Sequence, residues 1–191
     1  MSLRDRINQQ AHEERGFKPH PCGKFNAVVQ EVKEIERNGK VIFEIHLLSG
    51  RGQVKKDIFH TQLEDIDGIL LNNCDGDRTK AESIYVSHMS NIQRMLQDLG
   101  VGIPESSDDK EYETGIYFSL SGIVGKDCRI VVIPGKTNPD FRTVYINKFD
   151  PEAVDDLAGD RKETRTRFNG KSESVASSGF PASGGLEEIP F

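Results

Sequence analysis

The sequence predicts a mainly β domain with one main helix, followed by a polar C-terminal extension. Three observations carry that prediction. Two tight-turn signals, Asn38-Gly39 and Gly50-Arg51-Gly52, separate three successive β-prone segments. One stretch, Ala81–Leu99, repeats apolar residues at spacings of three and four. From about Pro151 the apolar signal collapses into Gly, Ser, Ala and charged residues.

Taken in order, residues 1–18 are polar and charged and read as an N-terminal arm. His20-Pro21-Cys22-Gly23 breaks any helix and leads into a first strand, Lys24–Ile35. Val41–Leu48 is a second strand. Val41, Phe43, Ile45 and Leu47 share one of its faces by period two, and Ile42, Glu44, His46 and Leu48 share the other. Gln53–Thr61 is a third strand, with Val54 and Ile58 on one face and Lys55, Asp57 and Phe59 on the other. Three antiparallel strands joined by short turns make a meander. Gln62–Lys80 is acidic and reads as irregular. Asp75-Gly76-Asp77 lacks the ligand order and closing Glu of a calcium loop.

In the helix, Tyr85, Met89, Ile92, Leu96 and Leu99 form one apolar stripe, and Gly100 ends it. Val101–Lys110 is a loop. Tyr112–Ile123 is apolar and fits helix or strand equally. Gly125-Lys126 turns into Asp127–Pro134, a strand whose run Ile130–Ile133 suggests burial on both faces. Gly135–Asp140 is a loop, and Arg142–Phe149 is a last strand stopped by Asp150-Pro151. Five strands with the helix between the third and fourth is the element order of an OB-fold, a partly open Greek-key barrel. A generic α+β sandwich has the same order. The expected domain therefore covers residues 19–150. Residues 151–191 are expected to be a disordered tether, unable to bury enough apolar surface to offset ordering entropy.

Composition narrows the function classes. Of 191 residues, 35% are hydrophobic, there is no Trp, and the formal net charge is −6. From Pro151 onward there are eight acidic and five basic residues, a net of −3, which leaves −3 on residues 1–150. Any DNA-binding face must then be a local stripe of cations. No apolar run reaches membrane-spanning length and the N-terminus carries no hydrophobic signal region, so a cytoplasmic location is expected. Cys22, Cys74 and Cys128 are odd in number and widely spaced, which argues against a disulfide framework. His20 and Cys22 have no second ligand pair at zinc spacing, so neither metal nor other cofactor is expected. Gly135-Lys136-Thr137 resembles the end of a phosphate-binding loop, but position 130 is Ile and Asn138-Pro139 forbids the helix start. No compact nucleophile motif occurs, and catalysis is not expected.

Single-strand binding asks for aromatic faces beside cations. Lys55 and Phe59 share a face of the third strand, with Arg51 at its entrance; alternatively Phe59 packs under the acidic loop. On the last strand Phe141, Tyr145 and Phe149 share one face, and Arg142, Val144, Ile146 and Lys148 the other. If Val144 and Ile146 are core, the aromatics are available to bases; if the aromatics are core, Arg142 and Lys148 face out. Lys136 and Arg142 flank the final hairpin loop, a position OB-folds use to clamp strands. Arg161–Lys171 carries a net +4 and either supplements phosphate contacts, folds back on the acidic tail, or serves as a solubilising linker.

Gly23-Lys24-Phe25, Asn38-Gly39-Lys40 and Gly125-Lys126…Asn147-Lys148-Phe149 together resemble phage-encoded single-stranded DNA-binding proteins of the OB-fold type. The last residues, Glu187, Glu188, Ile189, Pro190 and Phe191, resemble the acidic Ile-Pro-Phe tail of bacterial single-stranded DNA-binding proteins. The tail suits a portable ligand. Pro190 restricts the backbone, Phe191 offers a ring, and the carboxylates favour an Arg or Lys rim. The resemblance implies sequence-independent coating of single strands in replication, recombination and repair, in a bacteriophage or bacterial setting. It further implies a polymerase, primase, helicase or recombinase as tail partner. The alternative is an OB-like protein-interaction adaptor or recombination mediator that binds DNA weakly.

Overall fold

The computed structural model describes residues 19–136 and 141–158. The expectations for residues 1–18, for Arg161–Lys171 and for the tail Glu187–Phe191 lie outside the described residues. The described residues form six strands: β1 (Gly23–Arg37), β2 (Lys40–Ser49), β3 (Gly52–Phe59), β4 (Asp127–Pro134), β5 (Arg142–Asn147) and β6 (Asp156–Leu157). Its three α-helices are α1 (Ile69–Asn73), α2 (Arg78–Asp98) and α3 (Asp109–Ser119), with 3-10 turns at Leu63–Asp67 and Leu120–Ile123. The strands make one antiparallel sheet in the order β3-β2-β1-β4-β5, and β6 pairs with β1.

The expected barrel is not closed by a strand ladder: none joins β3 to β5 among the described residues. A side chain bridges them instead. Lys56 Nζ of β3 donates to the Val144 carbonyl of β5 at 2.9 Å.

The meander forms for the reasons legible in the sequence. Asn38 and Gly39 take φ 55° and 72°, both left-handed, as a two-residue hairpin turn that continues the strand twist requires. β1 alternates, with Phe25, Ala27 and Val29 buried, until Gln30. There the pairing with β2 shifts between Val29 and Glu31, so the inward phase moves to Val32. This bulge is why the apolar residues of β1 alternate only loosely in sequence. Ile45 and Leu47 of β2 and Ile58 of β3 complete the inward face.

The helices cover that face. Asp77 caps α2 by accepting from the Lys80 amide, and the helix begins at Arg78, three residues before the expected start. Tyr85, Met89, Ile92, Leu96 and Leu99 are all buried, as their spacing requires. The ambiguous segment is helical. Asp108 caps α3 through the Glu111 amide, and Ile116, Leu120 and Ile123 are fully buried at spacings of four and three. Residues 62–80, expected to be irregular, hold the first 3-10 turn and α1, because Ile66, Leu70 and Cys74 recur every fourth residue and all are buried. A buried carboxylate ties these pieces together. Glu113 Oε2 accepts from the Leu63 amide at 2.6 Å and from Tyr85 Oη at 2.7 Å. Burial and that carboxylate push the Tyr85 phenol well above its usual range.

One domain boundary needs correction. Residues 151–158, assigned to the tether, are folded onto the sheet. Arg129 donates to the Ala153 and Val154 carbonyls at 3.3 and 2.5 Å, Asn26 Nδ2 donates to the Asp150 carbonyl at 3.2 Å, and the Ala158 amide donates to the Cys22 carbonyl at 2.9 Å. These are backbone and side-chain polar contacts, to which apolar periodicity is blind.

The close approach of β6 demands glycine at position 23. Its φ is 145°, and an added Cβ would stand 2.1 Å from the Asp156 carbonyl oxygen. Gly23→Ala should therefore detach β6 or strain β1, lowering stability by about 1–3 kcal/mol in urea melts. An unchanged midpoint would show that the β6 contact is dispensable.

Candidate nucleic-acid interface

The seven expected DNA-contacting residues fall into two groups. The cations of the first, Arg51 and Lys55 on β3 and its turn, are occupied by carboxylates. Glu44 lies on the outer face of β2, nearly buried, and gathers the surrounding cations. Lys55 Nζ is 2.5 Å from its Oε1, Arg37 Nη2 is 2.9 Å from the same oxygen, and His46 Nε2 is 3.4 Å from Oε2. Asp57 takes Arg37 Nη1 at 3.3 Å. The hydrogen bond from Lys55 is the main cause holding the Glu44 carboxyl below its ordinary range. Arg51 lies 3.7 Å from Asp155 in the segment that folds back over the sheet. The face expected to offer Lys55 and Arg51 to phosphates is thus internally compensated.

Phe59 is half-buried rather than exposed. It sits opposite Ile42, which is 2% exposed, and its carbonyl accepts from His88 Nε2 at 2.9 Å. It borders a concavity of about 190 Å³ together with Lys40, His60 and Ile69. It keeps the strand phase of Lys55 and Asp57, at the end of β3 where the following loop begins.

The second group converges on the β4–β5 hairpin. Val144 and Ile146 are buried, at 3% and 7% exposure, which fixes the orientation of β5. Tyr145 therefore faces outward at 38% exposure, with Phe141 at 71% and Phe149 at 37% flanking it along the chain. Lys136 and Lys148 are exposed on the same hairpin. Arg142 is half-buried and donates from Nε to the His20 carbonyl at 2.6 Å, so it ties the incoming chain to β5 as well as bordering the loop. His20 itself is a buried anchor. Its Nδ1–H donates to the Pro21 carbonyl at 2.8 Å, leaving Nε2 to accept from the Ser49 hydroxyl at 2.7 Å. Burial is the main cause of its lowered pKa.

Two cations at this site escaped sequence reading. Lys56 belongs to the inward phase of β3, between Val54 and Ile58, yet β3 is a sheet edge. Its Nζ reaches the Val144 carbonyl and lies 5.8 Å from the centre of the Tyr145 ring. Lys24 is exposed on β1 and pairs across with Val131, which pairs with Tyr145. Two strand spacings put its Cα about 10 Å from that of Tyr145 on the same outer face. A lysine in the core phase of a strand was the available signal for Lys56. Lys24 carried none until strand order was known.

The arrangement is an aromatic face bordered by cations, suited to stacking of planar rings with phosphates alongside. Among the described residues no group of three or more His, Cys, Asp or Glu is placed to hold a metal, and no helix is long and apolar enough to cross a membrane.

The Glu44 cluster yields a prediction on stability. Its carboxyl titrates below the free value in the fold, so its contribution is complete above the ordinary glutamate range near pH 4.3. It fades as pH falls through the lowered folded value. Glu44→Gln should destabilise the chain at neutral pH, with the gap from wild type narrowing below about pH 4 in thermal melts. A gap independent of pH would refute the ion-pair account. No protein-family model matches the chain, and no curated protein is detectably similar to it in sequence.

Proposed function

We propose that the chain is an OB-type single-stranded DNA-binding protein whose C-terminal residues Glu187–Phe191 recruit replication or recombination proteins. The observation that carries the reading is Tyr145, turned outward on β5 while Val144 and Ile146 enter the core, with Lys56 beside its ring. In this reading bases stack on Tyr145, and on Phe141 and Phe149 at either end, while Lys24, Lys136 and Lys148 follow the phosphates; Arg142, in the inward phase of β5 with its Nε on the His20 carbonyl, holds the incoming chain instead. Strand order supports the OB assignment. β3 and β5 occupy the two ends of the β3-β2-β1-β4-β5 order, yet Lys56 bridges them, as expected of a sheet curling toward a partly open barrel.

The test is fluorescence titration of the full chain with oligo-dT and with duplex at several salt concentrations. Oligo-dT should bind preferentially, with affinity falling as salt rises. Tyr145→Ala should weaken it about 5- to 100-fold, the range for one stacked base. Deleting Leu186–Phe191 should leave affinity equal or higher, because negative charge competing for the cationic face is removed. Absence of single-strand preference at low salt would overturn the proposal.

The compensated β2–β3 face favours a second reading, an OB-like adaptor with weak DNA binding. It requires that isolated replication proteins bind the full chain while oligo-dT does not.

A further inference from the structure

A second concave surface lies away from the β4–β5 hairpin, where the β1–β2 hairpin meets α3. β4 pairs with β1 only over Gly23–Val28, whereas this surface uses Glu34 of β1 and Phe43 of β2, beyond that pairing. Phe43 and Tyr117 stack with ring centres 5.5 Å apart and planes 12° from parallel. His60 meets both edge-on, at 5.8 and 4.3 Å. Tyr117 is locked there, because its Oη accepts from the Thr61 amide and donates to the Thr61 carbonyl, both at 2.9 Å. The next residue, Phe118, is 80% exposed. It lies between the concavity of about 330 Å³ over these rings and a neighbouring open one lined by Asp108, Glu111 and Gly115.

The charge around this aromatic surface is one-sided. Glu34, Glu64, Asp108 and Glu111 line the two concavities, with Glu113 buried beneath them; among the described residues lining them the one lysine or arginine is Lys110, itself paired with Glu64. Phosphates are repelled by such a rim. The exposed ring of Phe118 beside these carboxylates matches a guanidinium, whose plane stacks on a ring while its edge donates to carboxylate oxygens. We propose that the groove around Phe118 binds an arginine side chain presented by a partner polypeptide. The site is independent of the DNA interface, and each can fail without the other.

The test uses the full chain and a fluorescein-labelled hexa-arginine peptide, followed by anisotropy. Phe118→Ala removes no charge and no core contact, and should weaken the peptide about three- to tenfold while leaving oligo-dT affinity unchanged. Glu34→Lys should act in the same direction. Glu152→Lys, a charge reversal outside the groove, should have little effect, and hexalysine should bind less tightly than hexa-arginine. Unchanged peptide affinity in Phe118→Ala would overturn the proposal, as would an equal loss in Glu152→Lys, which marks non-specific attraction. So would a tenfold gain when Arg161, Arg165 and Arg167 are replaced by Gln, because the chain would then be filling its own groove. Thermal melts confirm that each variant is folded.

Discussion

Everything in the sheet hangs on the backbone of β1. Fifteen residues long, it provides hydrogen-bonding edges to β2, β4 and β6, and among the described residues no other strand serves three partners. A strand with that many neighbours cannot stay flat and keep one face in the core. The bulge at Gln30 resolves the conflict by rotating the phase of the strand midway. Its first half then faces the helices through Phe25, Ala27 and Val29, while its second half carries the hairpin onward. The projecting end supplies one wall of the Phe118 groove, and the paired end supplies Lys24 to the Tyr145 face. The two candidate sites are separated because one strand changes course.

Two carboxylates, Glu44 and Glu113, show how differently acidic side chains are accommodated. Glu113 sits among neutral donors, a backbone amide and a phenol, and it joins α2, α3 and the turn after β3. Glu44 sits among cations on the sheet's outer face. The first arrangement satisfies a buried acceptor whose removal would strand two donors. The second neutralises positive charge that a nucleic acid would otherwise meet. The outer surface is consequently divided, with β2 and β3 electrically self-contained and the β4–β5 hairpin carrying exposed lysines.

Much of this was legible in the residues, and the failures share a cause. Asn38-Gly39, the Tyr85-to-Leu99 stripe and the Ile130–Ile133 run encode local periodicities, and each formed the expected element. α3 was ambiguous because Tyr112, Ile116, Tyr117 and Phe118 favour strands by type. The decisive signals were the Asp108 cap and the spacing of Ile116, Leu120 and Ile123. The orientation of β5 was open because both of its faces contain apolar residues, and only packing chose between them. Lys55 looked available because its partner Glu44 lies 11 positions away on a neighbouring strand. Lys56 was overlooked because alternation points it inward. Residues 151–158 were lost to the tether because polar contacts to Arg129 and Asn26 hold them. Where a feature depends on non-local pairing, composition and period do not contain it.

The Ala158 amide bonds to the Cys22 carbonyl, so the described residues begin and end side by side at one corner of the sheet. The body can therefore be cut open elsewhere, for instance at Gly50-Arg51, and its old ends joined by a short bridge without crossing any strand. Insertion into a host loop follows the same geometry, since entry and exit points coincide. One strand, β1, thus anchors both the entry and the exit of the described chain.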